Sequence, residues 1–481
     1  MFVYTLKLDI DLIHHKQLEK RFRMASDIYQ KTLREILKRV RKQKKDPLYK
    51  RAYRLPKGAK RNEILKELDL KYDLRGSFTF SKFANDYRNK RNYARYIPSD
   101  VAGKLGVRAW EAYSRVKFAK GAKRINLNQP LLSFEAKGDS GIIIRNGLLK
   151  MGTKGAQFEC PVIYNNDEFE QEVFQLQFKF NRIVRKRQHR QWEYYVQMVF
   201  DGQHPSHQEP DLHTTVGNDI GTSTVALSSY FQTELRELAA NVSDESQHLA
   251  RLQRKLDRQM RANNTHRYND DGTIKRGRGR WIYSKEALAT KEEIAEIQRT
   301  QAAQRKIDHQ TLATEIVQMG DRFVVEQMSF KGLQARVKET EISETTGRFK
   351  RKGRFGKSIL NHAPAMLIEM IRYKAQFQDK QFIKANTRKV KASQLDHISG
   401  QYKKYSLSTR AKTIGDELVQ RDLYSAFILQ HVMDDGETVD LIACDDDFDT
   451  FLRNQEETML NCETELTSAG KKYFQNIEEN A

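Results

Sequence analysis

Thr214-Thr-Val-Gly-Asn-Asp-Ile-Gly-Thr-Ser-Thr-Val-Ala-Leu-Ser228 reads as a strand, a tight glycine turn and a second strand. One carboxylate, Asp219, sits in the first strand, two residues before Gly221. An acid among apolar strand residues is costly unless something pairs it, and a divalent cation would do so. The pattern recurs. Asp321-Arg-Phe-Val-Val-Glu-Gln-Met328 carries a short apolar strand, Phe323-Val-Val325, that ends on Glu326. Val419-Gln-Arg-Asp-Leu-Tyr-Ser-Ala-Phe-Ile-Leu429 places Asp422 at the opening of a helix whose apolar face is Leu423, Ala426, Phe427 and Leu429. Between the first two acids lie a basic helix over Leu249–Arg258, a loop over Asn263–Arg280 and a long helix from about Trp281 to Met319. The basic helix has Leu249, Leu252 and Leu256 on one face and carries Arg254 and Lys255.

The order strand–Asp, strand–Glu, helix–Asp suggests a ribonuclease-H-like nuclease centre. The chemistry needs three such acids: two Mg²⁺ ions about 4 Å apart are held by carboxylates around a scissile phosphate, with no histidine nucleophile required. Asp219, Glu326 and Asp422 are therefore the candidate catalytic and metal-holding residues.

Composition supports a polyanionic partner. The chain has 481 residues, too long for one ordinary domain. Its 85 Lys and Arg against 63 Asp and Glu leave a net +22, and nucleic acid is the first candidate for such a surplus. The charge is uneven. Residues 434–481 hold 14 acids and 3 bases, a net −11, so the preceding 433 residues carry +33. That acidic tail reads either as a shield for a nucleic-acid surface or as a solvated extension with one or two helices. No run approaches 18 apolar residues, which excludes a membrane-spanning helix. The N-terminus lacks a signal peptide's charged start and apolar core, and Cys160, Cys444 and Cys462 are far apart. The expectation is a reduced, cytoplasmic protein, associated with the nucleoid when on DNA.

Upstream of Thr214, residues 2–12 alternate with period two and read as a strand, and from about His14 the period lengthens to that of an amphipathic helix. Residues 31–62 hold 14 Lys or Arg. Residues 78–125 mix rings with cations, among them Arg88, Lys90, Arg91 and Arg95, a composition suited to stacking on bases while following a backbone. From about Ile125 to Phe200 the pattern is that of strands: Gly141-Ile-Ile-Ile144, Val173–Phe180 and Trp192–Phe200, with a turn at Asn165-Asn-Asp167. We expect a small antiparallel barrel that recruits the N-terminal strand, the helical residues being inserted between its first and second strands. His204, His207 and His213 lie in a polar linker with two prolines and no cysteine, where a metal site is the lesser reading.

Residues 214–433 resemble the RuvC nuclease of TnpB, the RNA-guided endonuclease of insertion sequences, and of the miniature type V CRISPR effectors. The matching stretches are Gly217-Asn-Asp-Ile-Gly221, Leu252-Gln-Arg-Lys-Leu256, Arg305-Lys-Ile-Asp-His309, Val324–Leu333, Met370-Ile-Arg-Tyr-Lys-Ala375 and Arg421-Asp-Leu-Tyr-Ser-Ala426. More loosely, Ile97-Pro-Ser-Asp100 and Ala109-Trp-Glu-Ala-Tyr113 resemble the family's recognition helices. The family carries a four-cysteine zinc ribbon between its second and third acidic motifs. Here residues 388–417 hold no cysteine, and His397 is the only nitrogen ligand of the usual kind, so no structural zinc is expected.

The resemblance implies an α+β multidomain chain: a β-barrel wedge domain with an inserted helical recognition domain, followed by an RNase-H-like (RuvC) α/β nuclease domain. Its divisions would be the first wedge strand at 1–13, the recognition domain at 14–125, the rest of the wedge at 126–205 and RuvC motifs one and two at 206–387. Then follow the target-strand-loading segment at 388–417, the third motif at 418–433 and the acidic tail at 434–481. It implies an RNA-guided DNA endonuclease that cuts double-stranded DNA beside a short flanking motif, with guide pairing supplying most specificity. Its cofactors would be two Mg²⁺ ions, replaceable by Mn²⁺, and a guide RNA. Its partners would be target duplex and displaced single strand, with no membrane and either a monomer or a homodimer acting. The basic loop 334–358, with Arg348, Lys350, Arg351, Lys352 and Arg354, would clamp a strand or the heteroduplex. Nucleic-acid contacts would also come from Arg88, Lys90, Arg91, Arg95, Arg254 and Lys255. The alternatives are an RNA-guided DNA-binding repressor that does not cut, and a guide-independent RNase-H-fold transposase.

Overall fold

The structure is a computed structural model describing all residues except 1, 119–124, 126, 128, 139, 154, 189–190, 203–212, 276, 278, 335–355, 407, 463–466 and 481. The chain forms two compact units, Met1–Pro205 and Ser206–Ala481.

In the first unit, β1 (Phe2–Leu8) buries every second residue, as its alternation dictates. Asp11 accepts a hydrogen bond from His14 N (2.7 Å) and so caps α1 (Leu12–Lys45). Asp46 ends that helix and, with Pro47, opens α2 (Pro47–Arg54). The helices α3 (Ala59–Lys71), α4 (Ser77–Lys90) and α5 (Ser99–Phe118) follow. Gly106 of α5 lies so close to Phe80 of α4 that a Cβ would strike the Phe80 carbonyl, which permits the tight crossing. Then come β2 (Ser133–Glu135), β3 (Ile142–Arg145), β4 (Leu148–Met151), β5 (Phe158–Ile163), α6 (Glu168–Gln175), β6 (Gln177–Gln188) and β7 (Gln191–Asp201).

The seven strands pair antiparallel in the order β2-β6-β7-β1-β5-β4-β3. The N-terminal strand is thus central, with Phe2 opposite Phe200 and Leu8 opposite Val162. Asn181 of β6 donates to Ile142 O of β3 (3.1 Å), which joins one end of the sheet to the strand beside the other end in a nearly closed barrel. One expected strand is corrected: Val173–Gln175 end a helix. Asp167 accepts from Glu170 N (2.7 Å) while Glu170 accepts from Asn166 N (2.8 Å), a reciprocal cap that starts α6 where only a turn was read.

In the second unit, β8 (Thr215–Ile220), β9 (Thr224–Ser228) and β10 (Thr233–Glu237) form an antiparallel meander. After α7 (Ser246–Asn263) and α8 (Lys285–Gln318), β11 (Arg322–Glu326) pairs parallel with β8. The helices α9 (Phe330–Gln334), α10 (Gly356–His362) and α11 (Pro364–Phe377) lead to β12 (Gln381–Ala385), parallel to β11. The sheet order is β10-β9-β8-β11-β12. α12 (Thr387–Val390) precedes a hairpin, β13 (Ala411–Ile414) and β14 (Glu417–Gln420), and α13 (Arg421–Gln430), α14 (Leu441–Cys462) and α15 (Ser468–Asn480) end the chain.

Parity sorts the two faces of this sheet. Val216, Ile220, Phe323 and Val325 point to a core with α8 and α11. Val324 points to the opposite core, shared with α13, α14 and α15. α8 begins at Lys285 rather than Trp281, because Ser284 accepts from Ala287 N (3.1 Å) as its cap. The acidic tail holds two helices, as the extension reading expects, but it is not solvated throughout. Phe448, Phe451, Met459 and Tyr473 are buried beside α13, while Asp445, Asp446 and Asp449 stay on the outside. No helix among the described residues is long and apolar enough to cross a membrane.

Candidate active site

Alternation along β8 and β11 decides where two of the acids point. Asp219 shares the parity of Gly217, and Glu326 that of Val324, so both face the α13 side. The two strands are in parallel register up to Asn218 opposite Val325, one residue before each acid. Asn218 is fully buried and donates to Val216 O (2.8 Å) and to Val324 O (3.2 Å), tying the strands together beside the acids. Gly217 admits the third: a Cβ there would strike Ala426 O and Gln430 N, so only glycine lets α13 lie directly on β8. Ser228 Oγ donates to Gln430 (2.8 Å), fixing the far end of the helix to β9. Asp422 then lies in the first turn of α13, which Gln420 caps by accepting from Leu423 N (2.6 Å).

The three acids sense one another. The Asp219 carboxyl is pushed well above its ordinary pKa, first by burial, then by the charges of Glu326 and Asp422, with Arg421 and Arg410 opposing. Burial raises Glu326 to about 7. Asp422 is differently placed. Arg410 Nη1 lies 2.5 and 2.6 Å from its two oxygens, Gln420 Nε2 is 3.3 Å away and Arg421 Nη2 3.5 Å. Among the described residues, Asp219 and Glu326 thus have no ion pair of their own, while Asp422 has one. Among the described residues, no three carboxylates, imidazoles or thiols form a ready chelating group. The donor set nevertheless fits a hard dication: two desolvated, mutually repelling carboxylates with a third within electrostatic reach.

Sequence reading missed Arg410, Gln420 and the buried Lys412. The signal was there: Gly415-Asp416 between alternating runs is a two-residue hairpin turn, with Gly415 at φ 58°. That hairpin sets Arg410 opposite Arg421, whose N–H donates to Arg410 O (2.8 Å), and so beside Asp422.

The other candidates scatter. Arg254 and Lys255 are exposed on α7. Lys90, Arg91 and Arg95 are exposed in the first unit, whereas Arg88 is half-buried and bonded to Asn85 (3.1 Å), its guanidinium pKa lowered by burial. Tyr87 and Tyr93 both donate to Asp27 (2.9 and 3.1 Å), and Phe80 stacks on Trp110, so these rings serve the protein's own packing. Phe78 remains 83% exposed. Arg348, Lys350, Arg351, Lys352 and Arg354 lie outside the described residues, as do His204 and His207; His213 pairs with Asp321 (2.9 Å). His397 is a core residue, bonded through Nδ1 to Tyr424 Oη (2.7 Å) and packed on Phe448.

A mixed sheet with acids at the ends of adjacent parallel strands, and a third on the helix laid across it, defines an α/β unit with a carboxylate-lined centre. No protein-family model and no curated protein matches the chain. Among solved structures it is similar to a Cas12f1–sgRNA–target DNA complex, with a TM-score of 0.43 and 11% identity over 85% of this chain and 81% of that one. It is also similar to a CRISPR-Cas12f ternary complex (TM-score 0.26, 10% identity, 86% and 81% covered). A third is a Cas12i1 R-loop complex before target DNA cleavage (TM-score 0.30, 8% identity, 93% and 66% covered).

Proposed function

We propose that the protein is an RNA-guided DNA endonuclease, with Asp219, Glu326 and Asp422 as its catalytic residues. The observation that carries this reading is their convergence on one face of the β8–β11 pair, beneath the N-terminus of α13. The first unit supplies the wedge and recognition parts, and the second is the RNase-H-like nuclease. Its partners are a guide RNA and target double-stranded DNA beside a short flanking motif, drawn by the basic surplus.

The three acids would hold two Mg²⁺ ions, which supply an activated water and charge stabilisation at the leaving oxygen. The chain's own contribution is preorganisation. β8 and β11 hold Asp219 and Glu326 at fixed spacing in a half-buried site, where their repulsion is relieved by taking up protons or by incoming cations. Gly217 and the Ser228–Gln430 bond hold α13 over them. Asp422 is shared with Arg410, so a metal would compete with that guanidinium for its oxygens.

That last contact also favours a second reading, the guided DNA-binding repressor that does not cut. Asp219→Ala separates the two. The protein is purified with its native flanking DNA, its bound RNA is sequenced, and a target is rebuilt from the guide. Metal-dependent cleavage that vanishes in Asp219→Ala, with target binding retained, is the expected result. A wild type that binds target and never cuts establishes the repressor, and a smear of host RNA removes the guide from either reading.

A further inference from the structure

Resting on the reading of Asp422 as a metal-holding acid, the inference concerns what occupies that acid in the free chain. Arg410 is bonded to both carboxylate oxygens, so the cation a metal would replace is already present. Arg410 is in turn held from two sides. Its carbonyl accepts from Arg421 N (2.8 Å), across the base of the hairpin. Its N–H donates to Asn476 Oδ1 (2.7 Å) on α15, the last helix of the chain and 66 residues away. Apolar packing of α14 and α15 could tolerate sliding, whereas a short directional bond fixes α15 to this one residue. The guanidinium is also not exhausted. Arg410 Nε is buried and has no hydrogen-bond partner among the described residues, so one donor of the fork is still free.

We propose that Arg410 is a latch that withholds Asp422 from metal in the free chain, that Asn476 of α15 holds the latch, and that a phosphodiester of the incoming strand releases it. One nitrogen, Nη1, holds both oxygens of Asp422, and a guanidinium binds phosphate as well as carboxylate, so the strand's phosphate can take Arg410 over as Asp422 is freed. Metal loading would then follow substrate arrival, and an idle nuclease would carry an incomplete centre.

The test is Mn²⁺ binding to the full chain without nucleic acid, measured by calorimetry and by the electron paramagnetic resonance of free Mn²⁺, with melting curves to verify folding. Arg410→Gln should bind Mn²⁺ at least about tenfold more tightly than wild type, the scale on which groups supporting metal ligands act. Asn476→Leu should move the same way by a smaller factor. Asn476→Ser, which keeps a neutral acceptor, should gain less than Asn476→Leu. Asp422→Ala in the Arg410→Gln background should erase the gain. A short single-stranded DNA should tighten Mn²⁺ binding in wild type and have little effect in Arg410→Gln.

Unchanged or weaker Mn²⁺ binding in a folded Arg410→Gln overturns the latch, as does a gain that survives Asp422→Ala. If Arg410→Gln does not fold, Asn476→Leu decides, because it leaves Arg410 in place: Mn²⁺ affinity equal to wild type, with only the melting temperature lowered, means that Asn476 is structural and the latch is not held as described. Absence of Mn²⁺ binding from wild type and every variant, with DNA or without, is a different failure. It removes the metal-dependent reading itself, and the latch with it.

Discussion

Replacing Lys412 by methionine should stabilise the second unit. Lys412 on β13 is only 3% exposed, and its Nζ has one long hydrogen bond, to Ser393 O at 3.4 Å. Burial, and next the positive charge of Arg421, push its pKa from 10.5 down to about 7, against the pull of Asp396 and Asp422. At pH 7 that displacement corresponds to about 4 kcal/mol of lost stability. The ammonium lies 3.9 Å over the Tyr424 ring, and such a contact returns about 2 kcal/mol. The net penalty is therefore about 2–4 kcal/mol, and methionine fills the same slot without a charge. The melting transition should rise by about 5–10 °C. The sign with pH is fixed. Between about 7 and 10.5 the unfolded lysine holds a proton that the folded one has shed, so wild-type stability climbs with pH across that window. Lys412→Met lacks the climb, and its advantage should shrink to under about 1 kcal/mol near pH 10.5. Chemical denaturation of both proteins at pH 7 and pH 10 measures this, tyrosine ionisation being common to the two. No gain at pH 7, or an equal gain at both, would refute the argument.

Glu326→Gln should abolish metal-dependent cleavage and yet stabilise the metal-free protein by about 2–3 kcal/mol at pH 8, since it removes a carboxylate that burial drives to about 7; a destabilised variant would contradict the site's electrostatics. Phe451→Ala should cost about 3–5 kcal/mol by chemical denaturation, because Phe451 is 3% exposed and packs on Phe427 at 4.7 Å; a cost near zero would return the acidic tail to solvent. Gly217→Ala should fold poorly or displace α13, read as lost melting cooperativity together with lost cleavage. Charge reversal of Arg254 and Lys255, both exposed, should flatten the salt dependence of RNA binding by about one to two in the log–log slope, with cleavage chemistry at saturating guide unchanged.

The acids were legible because each ends a regular pattern. Asp219 and Glu326 are single acids in short apolar strands, and Asp422 opens a period-3.6 run, whereas the face they share follows from parity only together with the β8–β11 register. The barrel was legible for the same reason: β1 alternates without a fault from Phe2 to Leu8. Three features were hidden, each behind a competing signal. The charge of residues 434–481 masked the stripe Cys444, Phe448, Phe451, Gln455 and Met459, whose spacing is that of a buried helix face. The β-rich look of Val173–Phe180 masked the reciprocal cap of Asp167 and Glu170. Arg410 was hidden because its partner is twelve residues away across a hairpin whose one signal, Gly415-Asp416, lies in a segment that the resemblance frames by its missing cysteines.

The stability of the second unit and the chemistry proposed for it pull against each other at the same few residues. Asp219 and Glu326 are carboxylates raised in pKa by burial, Lys412 is a buried amine lowered by it, and the buried Asn218 Oδ1 has no hydrogen-bond partner among the described residues. Each is a net cost in the free chain. The offset lies next door. All ten residues of α13 are buried, and Tyr424, Phe427, Phe448 and Phe451 close into one ring cluster joining that helix to α14. Aromatic packing of this kind is worth several kcal/mol for each large ring buried. A centre that must stay under-neutralised until cations arrive therefore needs a helix over it that cannot move, and the acid-rich end of the chain supplies the apolar surface that pins α13. Removing residues 434–481 should on this ground unfold α13 and the site together; a truncated chain that melts cooperatively with Asp422 still beside Arg410 would show that the sheet alone suffices.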